Sequence, residues 1–319
     1  MKRPLILISG ATATGKTATA LKLASLTSGE IINGDSLLFY PELNIGTAKP
    51  THEELALIPH HLINCGHLSE PYNASDYVAQ ALEAIENLHR SRKVPIIVGG
   101  SAFYIRALLK GMYESGEIDL QVREEISQLE KEKGWHFLRE ELRKRDPLSY
   151  EKVHENDRYR TLRALEFSYT HNRPLSEERQ RMEESGPYDF SKLQKDAWVL
   201  HHIYLDLPKD FHWEIMRKRA YKMIDEGLIE EVQEILNQGF SPELKPLQSI
   251  GYKETIQYLQ GHLSKEELGE RIYINTRRLA KSQKTFFKKT TPKITYHPLN
   301  QEELIMSDAL TFLKDLNHG

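Results

Sequence analysis

Between Gly10 and Thr17 the chain reads GATATGKT, which satisfies the GxxxxGK[ST] pattern of a phosphate-binding loop. Gly10 and Gly15 permit the positive φ and close backbone approach that turn successive N–H groups inward. Lys16 adds a point charge, and the Thr17 hydroxyl can hold Mg²⁺. A chance match in a glycine turn is the alternative, and the context opposes it. The apolar run Leu5 to Ile8 precedes the loop as a strand, and the alanine-rich run Ala18 to Leu26 follows it as a helix. The chain therefore handles a polyphosphate; a nucleotide is the default ligand, but any diphosphate satisfies the same donors. Asp35 ends the run Ile31-Ile32-Asn33-Gly34-Asp35. A carboxylate placed beside a phosphate loop can accept a proton from an incoming nucleophile or hold Mg²⁺. The blander alternative is an Asp that caps the next turn.

A second chemistry lies toward the end of the chain. Between Glu270 and Glu302 there is no acidic residue, while Arg271, Arg277, Arg278, Lys281, Lys284, Lys288, Lys289 and Lys293 are all present. Arg277, Lys281, Lys284 and Lys288 fall at i, i+4, i+7 and i+11, and Ile272, Leu279 and Phe286 occupy a different face of the same helix. One side is expected to pack and the other to be cationic. Such a row, with no acids to pair with, suits a nucleic-acid backbone, with solvated lysines as the alternative. A further cluster, Arg158, Arg160 and Arg163 beside Tyr159, could clamp a stem-loop.

The elements that must position these residues follow from periodicity. Leu5–Ser9, Glu30–Asn33 and Pro95–Val98 read as strands alternating with amphipathic stretches, and Val199–Leu205 reads as a further strand. This is the α/β pattern of an open, mostly parallel sheet flanked by helices. Ligands in such sheets bind beyond the carboxyl ends of the strands, where Gly10, Asp35 and Gly99-Gly100 each stand. From residue 113 to 195 the texture changes to long charged helical segments, such as Asp119–Arg145 with the apolar stripe Ile126, Leu129, Phe137, Leu138 and Leu142. We read 113–195 as an all-α insertion, and 1–112 with 196–319 as a phosphate-loop core. Helices are expected over Phe211–Gln238, stopped by Gly239, over Gly251–Leu259, and from Ser264 to about Phe287, where Ser264 and Glu267 form a capping box.

Composition excludes several classes. With 319 residues and 39% hydrophobic content the chain can bury one large or two smaller cores. Its apolar runs are far shorter than the ~20 residues that span a bilayer, and the start lacks a long apolar segment and cleavage site, so a cytoplasmic location is expected. Cys65 is the single cysteine, which rules out an internal disulfide and a multi-cysteine zinc site and suggests a buried or inert thiol. His60, His61 and His67 lack the spacing of a helical metal site.

Several ordered motifs accompany these residues. Ile45–Pro50 reads IGTAKP, Val98-Gly99-Gly100-Ser101 forms a VGG turn, and Gln121-Val122-Arg123 opens the insertion. His154-Glu155-Asn156-Asp157 is followed by Arg163–Glu166 (RALE), Ile250–Glu254 (IGYKE) and Thr276–Gln283 (TRRLAKSQ). Together they resemble the tRNA dimethylallyltransferases, also called isopentenyl-diphosphate:tRNA transferases, from about Leu5 to Lys288. The chain departs from that family's pattern at Ala11 (proline), Ser101 (threonine), Asn64 (aspartate), Ser282 (arginine), Phe286 (tryptophan) and Lys288 (arginine).

The resemblance implies transfer of a dimethylallyl group from dimethylallyl diphosphate to N6 of the adenosine just 3′ of a tRNA anticodon. The loop would then grip a departing diphosphate rather than position a phosphoryl group. By matched position Asp35 is the general base, and Gly10, Ala11, Thr12, Ala13, Thr14, Gly15, Lys16 and Thr17 bind the diphosphate. Thr17 contacts Mg²⁺, and Arg219 is the distal pyrophosphate arginine. Asp35, Ser36, Leu37, Leu38, Ser101, Arg123, Tyr159, Arg160, Thr161, Leu162 and Arg163 correspond to tRNA-contacting positions, to which the basic helix adds Arg277 and Lys281. The implied partners are dimethylallyl diphosphate and the anticodon stem-loop, met by a monomer with no membrane attachment. The residues alone leave rivals open: a phosphate-loop kinase with Asp35 as its base, an adenylate prenyltransferase using free AMP, and a non-enzymatic RNA-binding module that would leave Asp35 and the loop without a role.

Overall fold

The computed structural model describes residues 2–70, 72–112, 119–182 and 186–318. The expected start of the insertion, residue 113, lies outside the described residues. The first unit begins β1 (Arg3–Gly10), α1 (Lys16–Thr27), β2 (Glu30–Asn33), α2 (His52–Leu57), β3 (His60–His61), α3 (Ala74–Arg90), β4 (Pro95–Gly99) and α4 (Ala102–Lys110). Four helices then form the second unit: α5 (Leu120–Arg145), α6 (Pro147–Lys152), α7 (Arg158–His171) and α8 (Leu175–Met182). The chain returns through β5 (Trp198–Leu205), α9 (Lys209–Asp225), α10 (Leu228–Asn237), a 3₁₀ turn at Lys245–Gln248, α11 (Tyr252–Leu259), α12 (Lys265–Lys289), β6 (Ile294–Tyr296) and α13 (Glu302–His318).

The strands form one six-stranded sheet in the order β3-β2-β4-β1-β5-β6, and every ladder in it is parallel. Because side chains alternate across a strand, β1 feeds two cores. Leu5 and Leu7 face one side with Tyr77 of α3, Ile105 of α4, Met216 of α9 and Ile272 of α12; Ile6 and Ile8 face the other with Leu23 of α1 and Ala309 of α13. Burial on both faces explains why β1 and β4 carry the unbroken apolar runs Leu5 to Ile8 and Ile96 to Val98.

Four expectations need correction. The helix expected over Phe211–Gln238 is two helices, because Gly227 adopts φ 103° and restarts the chain as the N-cap of α10. In α12 the packing face is only partly Ile272, Leu279 and Phe286: Ile272 is buried and Phe286 packs on the core, but Leu279 is exposed, and the buried face continues through Leu268, Tyr273, Ala280, Gln283 and Phe287. A spacing of seven drifts round a straight 3.6-residue helix, which accounts for the slip. Cys65 is exposed, although desolvation still pushes its thiol pKa up.

The fourth concerns the second domain boundary, which falls at 187/188 rather than 195/196, the helical unit being Met112–Pro187. The segment after Pro187 is tied to the core: Phe190 N–H donates to Thr291 O, Lys110 Nζ donates to Asp189 O at 2.8 Å, and Gln194 N–H donates to Leu109 O. The helical unit has its own core of Ile126, Leu138, Leu142, Ala164, Leu165, Phe167 and Leu175, and α5 bends where Gly134 takes φ 81°.

Candidate active site

Three strand ends build the site. β1 runs into the phosphate loop, where Gly10 approaches its neighbour so closely that a Cβ would sit 2.6 Å from Leu205 O. Ala13 takes φ 62° and Gly15 φ 85°, so two residues rather than the glycines alone bend the backbone into the nest. α1 begins at Lys16, and the N–H groups of its first turn have no acceptor within the helix. Lys16 Nζ donates to Ala11 O at 2.8 Å, and the Thr14 hydroxyl donates to the same carbonyl.

Asp35 stands at the end of β2. Its backbone is fixed by the buried Asn33, whose Oδ1 accepts Asp35 N–H at 2.8 Å and whose Nδ2 donates to Asp35 O at 2.9 Å. Asp35 Oδ1 accepts Leu37 N–H at 3.2 Å, so the capping alternative is realised by one oxygen of the carboxylate. The end of β4 comes close enough that a Cβ on Gly99 would lie 2.1 Å from Gly34 O. Ser101 follows, and its hydroxyl accepts Ser36 N–H at 3.0 Å. Asp35, Ser36, Leu37, Leu38 and Ser101 are thus gathered at one edge, each partly exposed.

The electrostatics join these ends to α9. Burial lowers the Lys16 pKa to about 8; the Asp35 carboxylate opposes that shift and the Arg219 guanidinium adds to it. Arg219 is itself lowered by burial, again opposed by Asp35. One carboxylate and two desolvated cations therefore share a field at the mouth of a phosphate loop. An anion entering there restores what burial has cost both cations.

The remaining positions are placed as follows. Thr12 N–H donates to Gln283 Oε1 at 2.8 Å, so this donor faces α12 and not the nest. Thr161 is fully buried against the Arg139 guanidinium, which removes its side chain from any surface contact. Leu162 packs on the helical core. Arg123 and Arg163 both pair with Glu166, at 2.9 and 2.7 Å, Arg160 pairs with Asp157, and Tyr159 is 70% exposed. In α12, Arg277 lies over the Trp213 ring at 3.5 Å and Lys281 is exposed. The expectation of cations without acids fails at Lys284, which meets Asp206 at 2.6 Å across the fold.

Sequence reasoning missed His212, Asp206 and Glu231. Glu231 accepts the N–H groups of Asn44, Ile45 and Gly46 and the Tyr252 hydroxyl, and so anchors the IGTAKP segment. Its only signal was an acid in the first turn of a helix. Among the described residues no group of three or more His, Cys, Asp or Glu could hold a metal, and no helix is long and apolar enough to cross a membrane.

Comparison with known proteins agrees with this geometry. A family profile described as IPP transferase matches residues 38–290. A tRNA dimethylallyltransferase of Syntrophobacter fumaroxidans is 39% identical over 286 residues, covering 89% of this chain and 81% of that protein. The chain belongs to the tRNA dimethylallyltransferase family. Another member, from Desulfitobacterium hafniense, is 37% identical over 92% of this chain and 91% of its own length. Two solved members share the fold of the transferase family seen here. The tRNA isopentenylpyrophosphate transferase of Bacillus halodurans superposes with a TM-score of 0.69 at 30% identity, covering 99% of this chain and 98% of that one. A eukaryotic dimethylallyltransferase acting on tRNA gives a TM-score of 0.80 at 25% identity, covering 98% and 80%.

Proposed function

We propose that this protein transfers the dimethylallyl group from dimethylallyl diphosphate to N6 of the adenosine next to the anticodon of a tRNA, releasing diphosphate. The observation that carries this reading is the placing of Asp35, at the end of β2, beside a phosphate loop whose Lys16 is turned onto Ala11 O, with the half-buried Lys16 and Arg219 cations both feeling the Asp35 carboxylate. The N6–C bond forms as the C–O bond to diphosphate breaks, and one proton leaves N6. Charge appears on the diphosphate, where Lys16, Arg219 and the first-turn N–H groups of α1 stabilise it as it develops. The adenine amine is a weak nucleophile, and Asp35 takes its proton as the bond forms. The oxygen that caps Leu37 holds the carboxylate still, and the other is left for the proton.

Mg²⁺ fits the donor set: such ions are held by one or two protein oxygens together with substrate phosphates and water. Thr17, the second residue of α1, would supply its hydroxyl, and the ion would add positive charge to the leaving group. The anticodon stem-loop is the natural acceptor, because an adenine must be unstacked to reach such a crevice, which costs a few kcal/mol and calls for a grip on the loop. Arg123, Tyr159, Arg160 and Arg163 of the helical unit are the residues we assign to that grip, and Arg277 and Lys281 of α12 are assigned to RNA contact within the sheet unit, in a monomeric cytoplasmic enzyme.

The test is incubation with isotope-labelled dimethylallyl diphosphate and either unmodified tRNA, its anticodon stem-loop, or AMP. Label in an N6-alkylated adenosine from digested tRNA, without ATP, is the expected result. Label in AMP alone, or ADP release from ATP on a small acceptor, overturns the reading.

A further inference from the structure

Thr12 is held at both its backbone N–H and its backbone C=O, on two consecutive peptides, by side chains with no other assigned role. His212 of α9, 1% exposed, donates from Nε2 to Thr12 O at 2.8 Å. Gln283 of α12, 7% exposed, accepts Thr12 N–H through Oε1 at 2.8 Å and donates from Nε2 to Gly100 O at 3.0 Å. The amide packs so closely on Gly100 that a Cβ there would lie 2.4 Å from Gln283 Nε2. One residue on, the Ser101 hydroxyl accepts Ser36 N–H beside Asp35. A continuous set of bonds therefore runs from the phosphate loop through Gln283 to the turn that carries the carboxylate.

The supports are themselves locked. Lys284, next to Gln283, donates to Leu207 O at 3.0 Å and pairs with Asp206, which joins α12 to the segment leading into α9. Burial lowers the His212 pKa and so favours the neutral ring, in which one nitrogen donates and the other does not.

We infer that His212 and Gln283 are positioning residues for the transfer reaction: by clamping the two peptides that flank the Thr12 Cα they aim the phosphate loop, and Gln283 also sets the separation between the leaving group and Asp35. The inference rests on the function proposed above. An anion nest works through the direction of its N–H groups, and the two peptides between Ala11 and Ala13 decide that direction at the entrance of the loop. Neither residue touches the reacting atoms in this scheme.

Full-length wild type, His212→Leu, His212→Gln, Gln283→Leu and the double Leu variant test it. Titration with inorganic diphosphate, steady-state transfer to tRNA, tRNA binding and thermal unfolding are measured on each. Loss of one buried hydrogen bond at the loop is expected to raise the diphosphate dissociation constant and the KM for dimethylallyl diphosphate about tenfold for either Leu variant. Transfer kcat should fall for Gln283→Leu alone, and tRNA affinity should not change. His212→Gln, which keeps a donor at the Nε2 position, should restore wild-type KM. The double variant should lose less than the product of the two single effects, because the two residues hold adjacent peptides on either side of the Thr12 Cα. Diphosphate affinity and KM within twofold of wild type in both folded Leu variants, or no rescue by His212→Gln, overturns the inference. A wild-type protein that binds no diphosphate would instead remove the proposed function on which it rests.

Discussion

At the scale of single residues, Asp35 carries two tasks that one substitution separates. Asp35→Asn keeps an oxygen to accept Leu37 N–H and loses only the basic carboxylate. We expect kcat to drop by about 10²–10⁴, with tRNA binding and melting temperature unchanged; wild-type turnover would remove Asp35 as the base. Lys16 makes a pH dependence. Its ammonium has a pKa lowered to about 8 by burial, and diphosphate binds the charged form, so affinity should be flat below pH 8 and weaken above it. The decline is at most about tenfold per pH unit until the pKa of the bound state is reached. The same shift acts on folding with the opposite trend. Between about 8 and the ordinary 10.5 the unfolded chain binds more protons at this lysine, so its contribution to stability rises with pH there. Diphosphate titrations from pH 6.5 to 9.5 on wild type and Lys16→Arg check the binding sign, since arginine stays charged throughout.

At the scale of elements, the close approach of β2 and β4 sets where the base stands. Gly99→Ala would drive a methyl into Gly34 O, which lies 2.1 Å from that position, and Gly34 immediately precedes Asp35. We expect a stability loss of about 1–3 kcal/mol from the forced backbone shift, read by denaturant unfolding. A loss of transfer should accompany it, larger than the stability change alone accounts for, because Asp35 moves with the strand end. Wild-type kcat in a folded Gly99→Ala protein would show that the spacing of the strand ends is not critical. α12 teaches a related lesson. Its cations were visible in the sequence as a row, yet Lys284 is bound to Asp206, and Arg277 lies over the Trp213 ring. Lys281 and Lys288 are the members of that row whose side chains stay exposed.

At the scale of the whole molecule, the helical unit and the sheet unit each have a core of their own. Leu165 is fully buried in the helical unit. Truncation to alanine should cost about 2–5 kcal/mol within that unit. Calorimetry should then show an early transition, with tRNA-dependent transfer reduced and diphosphate binding by the sheet unit retained. Equal loss of both activities would mean that the two units do not fold independently.

The sequence by itself determined what is local. A phosphate loop is a run of neighbouring residues whose spacing dictates a backbone shape, and strands buried on both faces announce themselves as apolar runs. The carboxylate at the end of β2 and the motifs that carry the family resemblance were legible for the same reason. Gln283 lay inside one of those motifs, but nothing along the chain revealed that it reaches Thr12, 271 residues away. His212 gave no signal, being a lone histidine on a charged helix, and the Asp206 partner of Lys284 was equally silent. Even the short edge strands β3 and β6 escaped, because runs of two and three residues have no periodicity to detect. Only the tertiary structure decided which side chains meet across elements, which cations are already paired, and where a helix turns its face. Those outcomes depend on packing between distant segments, and spacing along a chain carries no record of it.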